Sequence, residues 1–252
     1  MKKIFAVCFL IINFFSLYAQ KMNDDDLKTV SDFIDCIKYK EMDKLITKIS
    51  FPFRREYPIP EIKNKKEFLK RYTEVFDDSL TKIIINSKPS KDWAEMGWRG
   101  IMLLNGELWL DYDGRLIGIN YHSKAERKKR DSLIKSERDN LYDSLKEFEE
   151  PVCILETAKY RIRIDDLGDG NYRYASWPLK NKMNEKPDII IKKGEVIFED
   201  SGGDHKYKFK NGDYIYECEI VVIGEANSPP AIFKIYKGPK EILHQNAISL
   251  KD

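Results

Sequence analysis

Histidine is scarce in this 252-residue chain: His122, His205 and His244 are far apart and form no HxxxH or HExxH pattern. A structural zinc site needs four ligands at close spacing, and the four cysteines include no CxxC pair. No metal, cofactor or dithiol redox motif is therefore expected. GxSxG, Walker and GxGxxG arrangements are missing as well. So is a surplus of one charge: 44 Lys and Arg face 42 Asp and Glu, and Lys2 and Lys3 make up the formal excess of +2. A nucleic-acid binder concentrates basic residues to displace counterions from phosphates. Here acids and bases balance in each half, which argues against nucleic acid and against an anionic membrane surface as partners.

Long apolar runs are lacking beyond the first residues. The chain opens MKKIFAVCFLIINFFSLYAQ, two lysines before an apolar run from Ile4 to Phe15, then Ser16, Leu17, Tyr18 and the small Ala19. That order predicts a secretory signal peptide over residues 1–19, cut after Ala19. A retained anchor needs roughly 20 apolar residues, and Asn13 interrupts a shorter run. Cys8 lies inside the apolar stretch and not after it, which argues against a lipoprotein anchor. The expected product is periplasmic or secreted, with no integral membrane span after processing. What remains exceeds the usual length of one domain and suggests two. Of its cysteines, Cys153 and Cys218 could form one disulfide while Cys36 stays buried, or all three are small buried hydrophobes.

In residues 20–123, DDDLKTVSDFIDCIKY spaces Leu27, Val30, Phe33 or Ile34, and Ile37 as an amphipathic helix, with acids in the first turn where the helix dipole favours them. Met42, Leu45, Ile46 and Ile49 make a second, shorter helix that stops at FPFRREYPIP, whose prolines enforce extended backbone. A third runs from Lys65 to Phe76 through Phe68, Tyr72, Val75 and Phe76. Ile83, Ile84 and Ile85 then read as the start of a strand.

The next stretch is WRGIMLLNGELWLDYDGRLIGINYHS, with Asn105-Gly106 and Asp113-Gly114 as two-residue hairpin turns. Trp109 then faces both Met102 and Gly118. One face carries Ile101, Leu103, Leu108, Leu110, Ile117 and Ile119, with Arg99, Tyr112 and Tyr121 toward its ends, and should meet the helices. The other carries Trp98, Gly100, Met102, Trp109, Gly118, Asn120 and His122. General acid-base catalysis needs a titratable group aimed at a reacting atom, and the middle of the aliphatic wall has no carboxylate or histidine. The face with Trp98 and Trp109 instead predicts an interface, for the second domain or for a second copy in a homodimer.

The succession of long helix, short helix, FPF, KKEFLKRYTEVF and the meander GIMLLNGELWLDYDGRLIGINY resembles the nuclear transport factor 2-like, SnoaL-like superfamily from Asp24 to about Ser123. The resemblance implies a curved antiparallel sheet wrapped around helices as a cone, with polar residues in its mouth. The superfamily includes isomerases, cyclases, dehydratases and members without known activity, and its enzymes commonly place an Asp-His or Asp-Tyr arrangement there. Tyr72, Tyr112 and Tyr121 could stand near such a mouth, but the sequence supplies no acid partner for them.

Residues 124–151 hold as many bases as acids, no glycine, and a narrow stripe of Ile134, Leu141, Leu145 and Phe148: a charged helical connector ended by Pro151, with Lys146 and Glu150 as an outward pair. From residue 152 to 252 the period changes to two. Lys159 to Asp165, Asn171 to Trp177, Asp188 to Ile191, Glu195 to Glu199, His205 to Lys210, Asp213 to Ile223, Ala231 to Tyr236 and Glu241 to Ile248 read as strands of a small antiparallel barrel or sandwich. In HKYKFKNGDYIYEC the turn at Asn211-Gly212 sets Phe209 against Tyr214, Tyr207 against Tyr216 and His205 against Cys218. The fold class is thus α+β: helices on a curved antiparallel sheet, a connector, then an all-β unit.

Arg54 and Arg55 stand in the irregular FPFRREYPIP, where an arginine pair beside tyrosines could grip a carboxylate or a partner loop. Ser201 to His205 is a polar turn in SGGDHKY. In size, tyrosine content and that stretch, the last unit loosely resembles secreted lysozyme-inhibitor barrels, which would imply a loop that blocks an active-site cleft. The functional expectation is a non-catalytic secreted binding or interaction protein with a protein or cell-envelope partner, using Trp98, Trp109, Arg54, Arg55, Ser201 and His205. An inhibitor or immunity protein against a hydrolytic enzyme, and a small-ligand binder or SnoaL-like enzyme, are the alternatives.

Overall fold

The computed structural model describes residues 22–198, 203–222 and 228–250. Its first unit opens with α1 (Asp24–Lys38), whose N-cap Asn23 accepts the Asp26 N–H, and α2 (Met42–Thr47). After an irregular segment come α3 (Lys65–Val75), α4 (Asp78–Asn86) and α5 (Pro89–Asp92), then β1 (Trp93–Glu95), β2 (Ile101–Leu103), β3 (Leu108–Leu110) and β4 (Leu116–Ile119) in one antiparallel sheet of that order. Val30, Phe33, Leu45, Phe68 and Leu80 from the helices and Ile101, Leu103, Leu108 and Leu110 from the sheet share one core.

Three local expectations change here. Ile83 to Ile85 are helical: the Asp77 carboxylate accepts the N–H groups of Ser79 and Leu80, and Leu80 and Ile84, four apart, face the core. A cap plus helical spacing outweighs the strand preference of β-branched residues. Ile117 is 43% exposed and Leu116 fully buried in its place, because a bulge next to Trp109 pairs Leu110 with Leu116. One extra residue exchanges the two faces from that point of the strand onward. Trp98 and Arg99 belong to a 3-10 turn over Gly97–Arg99 and not to a strand.

Gly100, just after that turn, is irreplaceable for a steric reason. Its φ is +91°, and a Cβ there would lie 2.2 Å from the Leu110 carbonyl oxygen. Gly100→Ala is expected to cost about 1–3 kcal/mol from the overlap alone, read as a lower urea midpoint with unchanged slope.

The helix α6 (Lys124–Asp139) leads to the second unit. It stops at Asp139, earlier than the connector expected from the sequence; a 3-10 turn over Asp143–Leu145 follows, and Pro151 lies inside a strand instead of ending a helix. Eight strands then form a closed antiparallel barrel: β5 (Glu150–Glu156), β6 (Tyr160–Asp166), β7 (Tyr172–Pro178), β8 (Ile189–Phe198), β9 (His205–Asn211), β10 (Tyr214–Ile220), β11 (Ala231–Lys237) and β12 (Lys240–Ser249). Each pairs with the next, and β12 with β5. Two expected strands merge into β8, bent at Lys193 and Gly194 where the ladder to β7 slips. In the β9–β10 hairpin the turn residues are Gly212 and Asp213, so Phe209 faces Tyr216, Tyr207 faces Cys218 and His205 faces Ile220. The shift is even, which keeps Tyr207, Phe209, Tyr216 and Cys218 on the inner face while changing every partner.

Inside the barrel the Tyr174 ring lies 5.4 Å from both Phe209 and Tyr216 and 6.2 Å from Phe233. Fully burying one such side chain contributes about 1.5–3 kcal/mol, so the lumen is a packed core. Burial pushes the phenols of Tyr57, Tyr174 and Tyr207 well above the ordinary tyrosine value. A raised folded pKa gives stability that is complete below about pH 10, where unfolded tyrosine titrates, and that is lost as pH rises toward the folded values. An alkaline titration should therefore release these tyrosinates together with loss of the far-UV circular dichroism. Ionisation of every tyrosine near pH 10 in a native spectrum would contradict that burial.

Candidate functional site

The outer face of β6 and β7 joins the two units. Alternation along RIRID and YRYASW sends Ile162, Ile164 and Tyr174 inward and Arg163, Asp165, Arg173 and Trp177 outward. The outward residues are nonetheless buried, because Ile134 of α6 with Leu141, Leu145 and Phe148 covers them. Under this cover Arg163 donates to Asp165 (2.7 Å) and Glu137 (2.6 Å), and Arg173 donates to Asp165 (2.6 Å) and the Leu145 carbonyl (2.6 Å). Burial pushes the Asp165 carboxyl up while both guanidinium groups pull it down.

The other end of α6 grips the first unit. Ser123 caps the helix by accepting the Glu126 N–H, and Glu126 accepts two hydrogen bonds from Arg55, at 2.6 and 2.5 Å. Both side chains are fully buried. Arg55 also donates to the carbonyls of Ile119 and Tyr121. Next to it Tyr57 donates to Glu137 (2.5 Å), and Arg130 meets Glu56 (3.4 Å) and Glu150 (2.7 Å). One helix thus ties the irregular segment, the sheet and the barrel through charge-assisted bonds.

Between that segment and the barrel rim lies a cleft of about 240 Å³. Arg54, Tyr57 and His205 form its polar side, and Val152, Ile220, Val221 and Pro230 its apolar side. His205 is held by a 2.7 Å contact between Nδ1 and the Gly203 carbonyl, and by Phe198 and Tyr207 at 5.5 and 5.4 Å between ring centroids. A carbonyl only accepts, so Nδ1 carries the proton. Arg54 is exposed, and among the described residues no carboxylate pairs with it and none lines the cleft. It also borders a neighbouring hollow with Gly118, Asn120 and His122, where the His122 Nε2 lies 2.9 Å from Glu56.

The structure brings Arg54, Arg55 and His205 to this one place, with unlike roles. Arg55 spends its donors inside the protein, so the expected arginine pair is one structural residue and one available residue. Trp98 is 60% exposed in its turn. Trp109 lies over Gly118 and donates its indole N–H to the Gly106 carbonyl. Ser201 falls outside the described residues. No disulfide joins Cys153 and Cys218. The thiol of Cys218 is buried and pushed far up, first by desolvation and then by the charge of Cys153. Tyr121 does find an acid, Asp77 at 3.0 Å, but that carboxylate is the cap of α4. Among the described residues no three metal-ligating side chains gather, and no helix is long and apolar enough to cross a membrane.

Sequence reasoning missed Tyr57, Glu126, Glu137, Arg163, Asp165 and Arg173. The one available signal was arginine alternating with isoleucine and tyrosine in RIRID and YRYAS, where a solvated strand face would carry lysine as readily. No protein-family model matches the sequence, and no curated protein or solved structure is significantly similar to it.

Proposed function

We propose that this is a periplasmic or secreted binding protein without catalytic activity, which takes a protein or cell-envelope partner in the cleft between residues 54–57 and the barrel rim. The observation that carries this reading is Arg54: a guanidinium with no carboxylate partner among the described residues, set beside an aliphatic wall. Charged and apolar groups side by side, held by a buried ionic frame, give a partner both orientation and desolvation. Of the nearby groups that could move protons, Tyr57 is bonded to Glu137, His122 to Glu56 and His205 through Nδ1 to the Gly203 carbonyl, and no carboxylate lines the cleft among the described residues, which supports binding over turnover. The signal sequence supports export, and the order of helices and meander supports the nuclear transport factor 2-like arrangement for the first unit.

Arg54→Glu, a surface change, is expected to leave the melting temperature within a degree or two and to lower partner capture at least tenfold. Trp98→Ala should leave capture intact. Loss with Trp98→Ala and retention with Arg54→Glu would move the working surface to the sheet. The second reading, an inhibitor of a hydrolytic enzyme, is favoured by the position of His205. It begins β9 and lines the same cleft.

A further inference from the structure

We infer that the cleft receives the carboxy-terminal end of a polypeptide, an apolar last residue with its free carboxylate; this rests on the binding role just proposed for the same cleft. Three observations lead there. The first is charge: Arg54 presents a planar guanidinium suited to bidentate contact with a carboxylate, and no acid lines the walls to compete for it among the described residues. The neighbouring Arg55 also lines the cleft but does not dilute this, because Glu126 neutralises it and the carbonyls of Ile119 and Tyr121 take two more of its N–H groups.

The second observation is size. About 240 Å³ falls below the roughly 300–1,000 Å³ of sites that enclose drug-sized ligands. It suits one residue and its terminus better than a cofactor. The third is the apolar part of the lining, where Val152, Ile220 and Pro230 offer aliphatic surface and no charge. An apolar side chain covers that surface while the carboxylate meets Arg54. Capture of a chain terminus by fixed donors is a recurring mode of peptide recognition.

The test uses the full chain and two probes, N-acetyl-Gly-Ala-Leu as the free acid and as the amide, titrated by calorimetry at low and at moderate salt. The acid should bind at least tenfold more tightly than the amide and weaken as salt rises. Arg54→Gln should abolish the difference between them, and Arg54→Lys should keep part of it. Equal affinity for acid and amide, no binding of either, or an unchanged preference in Arg54→Gln each overturns the inference. If partner capture still depends on Arg54 in that event, only the ligand class has failed. If capture does not depend on Arg54, the binding role of the cleft has failed with it.

Discussion

Glu126→Leu is expected to lower stability by about 3–5 kcal/mol, the usual cost of leaving a buried charge without its partner. The cost comes from solvent exclusion: the side chains of Arg55 and Glu126 are both fully buried and meet through two short bonds. Water cannot replace Glu126, and the remaining guanidinium would have only the carbonyls of Ile119 and Tyr121. Exposed pairs contribute only about 0–1 kcal/mol, so Lys146 with Asp143, on the surface, is the natural control. Arg55→Met combined with Glu126→Leu should recover part of the loss, since an apolar pair removes both charges at once. Recovery stays incomplete because two carbonyls lose their donor. Urea denaturation reads all three variants. A shift below about 1 kcal/mol for Glu126→Leu would show that water reaches the pair.

Asp165→Asn should be at least as damaging, again about 3–5 kcal/mol, and its damage should fall on the barrel side. Asp165 is the one carboxylate between Arg163 and Arg173, and all three are buried. An asparagine keeps the shape and one acceptor oxygen but removes the charge, so Arg163 retains Glu137 while Arg173 is left with no carboxylate beside its main-chain carbonyls. The cover of Leu145 and Phe148 should loosen before the lumen does, because the aromatic core lies on the other face of β6 and β7. Indole emission from Trp177, which lies under that cover, should change at lower denaturant than the far-UV signal. Coincident transitions, equal to wild type, would contradict this layered arrangement.

Much of the barrel was legible in the sequence, because alternation survives small errors of register. The β9–β10 hairpin shows this: its partners shift by two while Tyr207, Phe209, Tyr216 and Cys218 remain inside. Bulges are harder to see. The slip beside Trp109 exchanges Leu116 for Ile117, and the bend at Lys193 and Gly194 joins two apparent strands into one. β5 was hidden because Pro151 reads as a stop, yet it sits near the start of the strand, where a missing N–H is tolerated. The isoleucines of α4 read as a strand by local propensity, which is weaker than the Asp77 cap joined to burial of Leu80 and Ile84.

The cleft was half legible. Arg54, Arg55 and His205 stand out as residues, but nothing in the chain announces that one arginine is consumed. Its acid, Glu126, lies 71 positions away, and Tyr57 and Glu137 are 80 apart. Long-range ionic partners carry no periodic signature, and only the folded chain brings them together. The result is a division of labour between adjacent arginines, one holding the frame and the other facing solvent.

Hydrogen exchange of the protein with a captured partner tests the binding role of the cleft most directly. Protection is expected in residues 54–57, in β5 next to Val152, and around His205 and Ile220. Protection confined to the outer sheet face around Trp98 and Trp109, with the cleft unchanged, would contradict it.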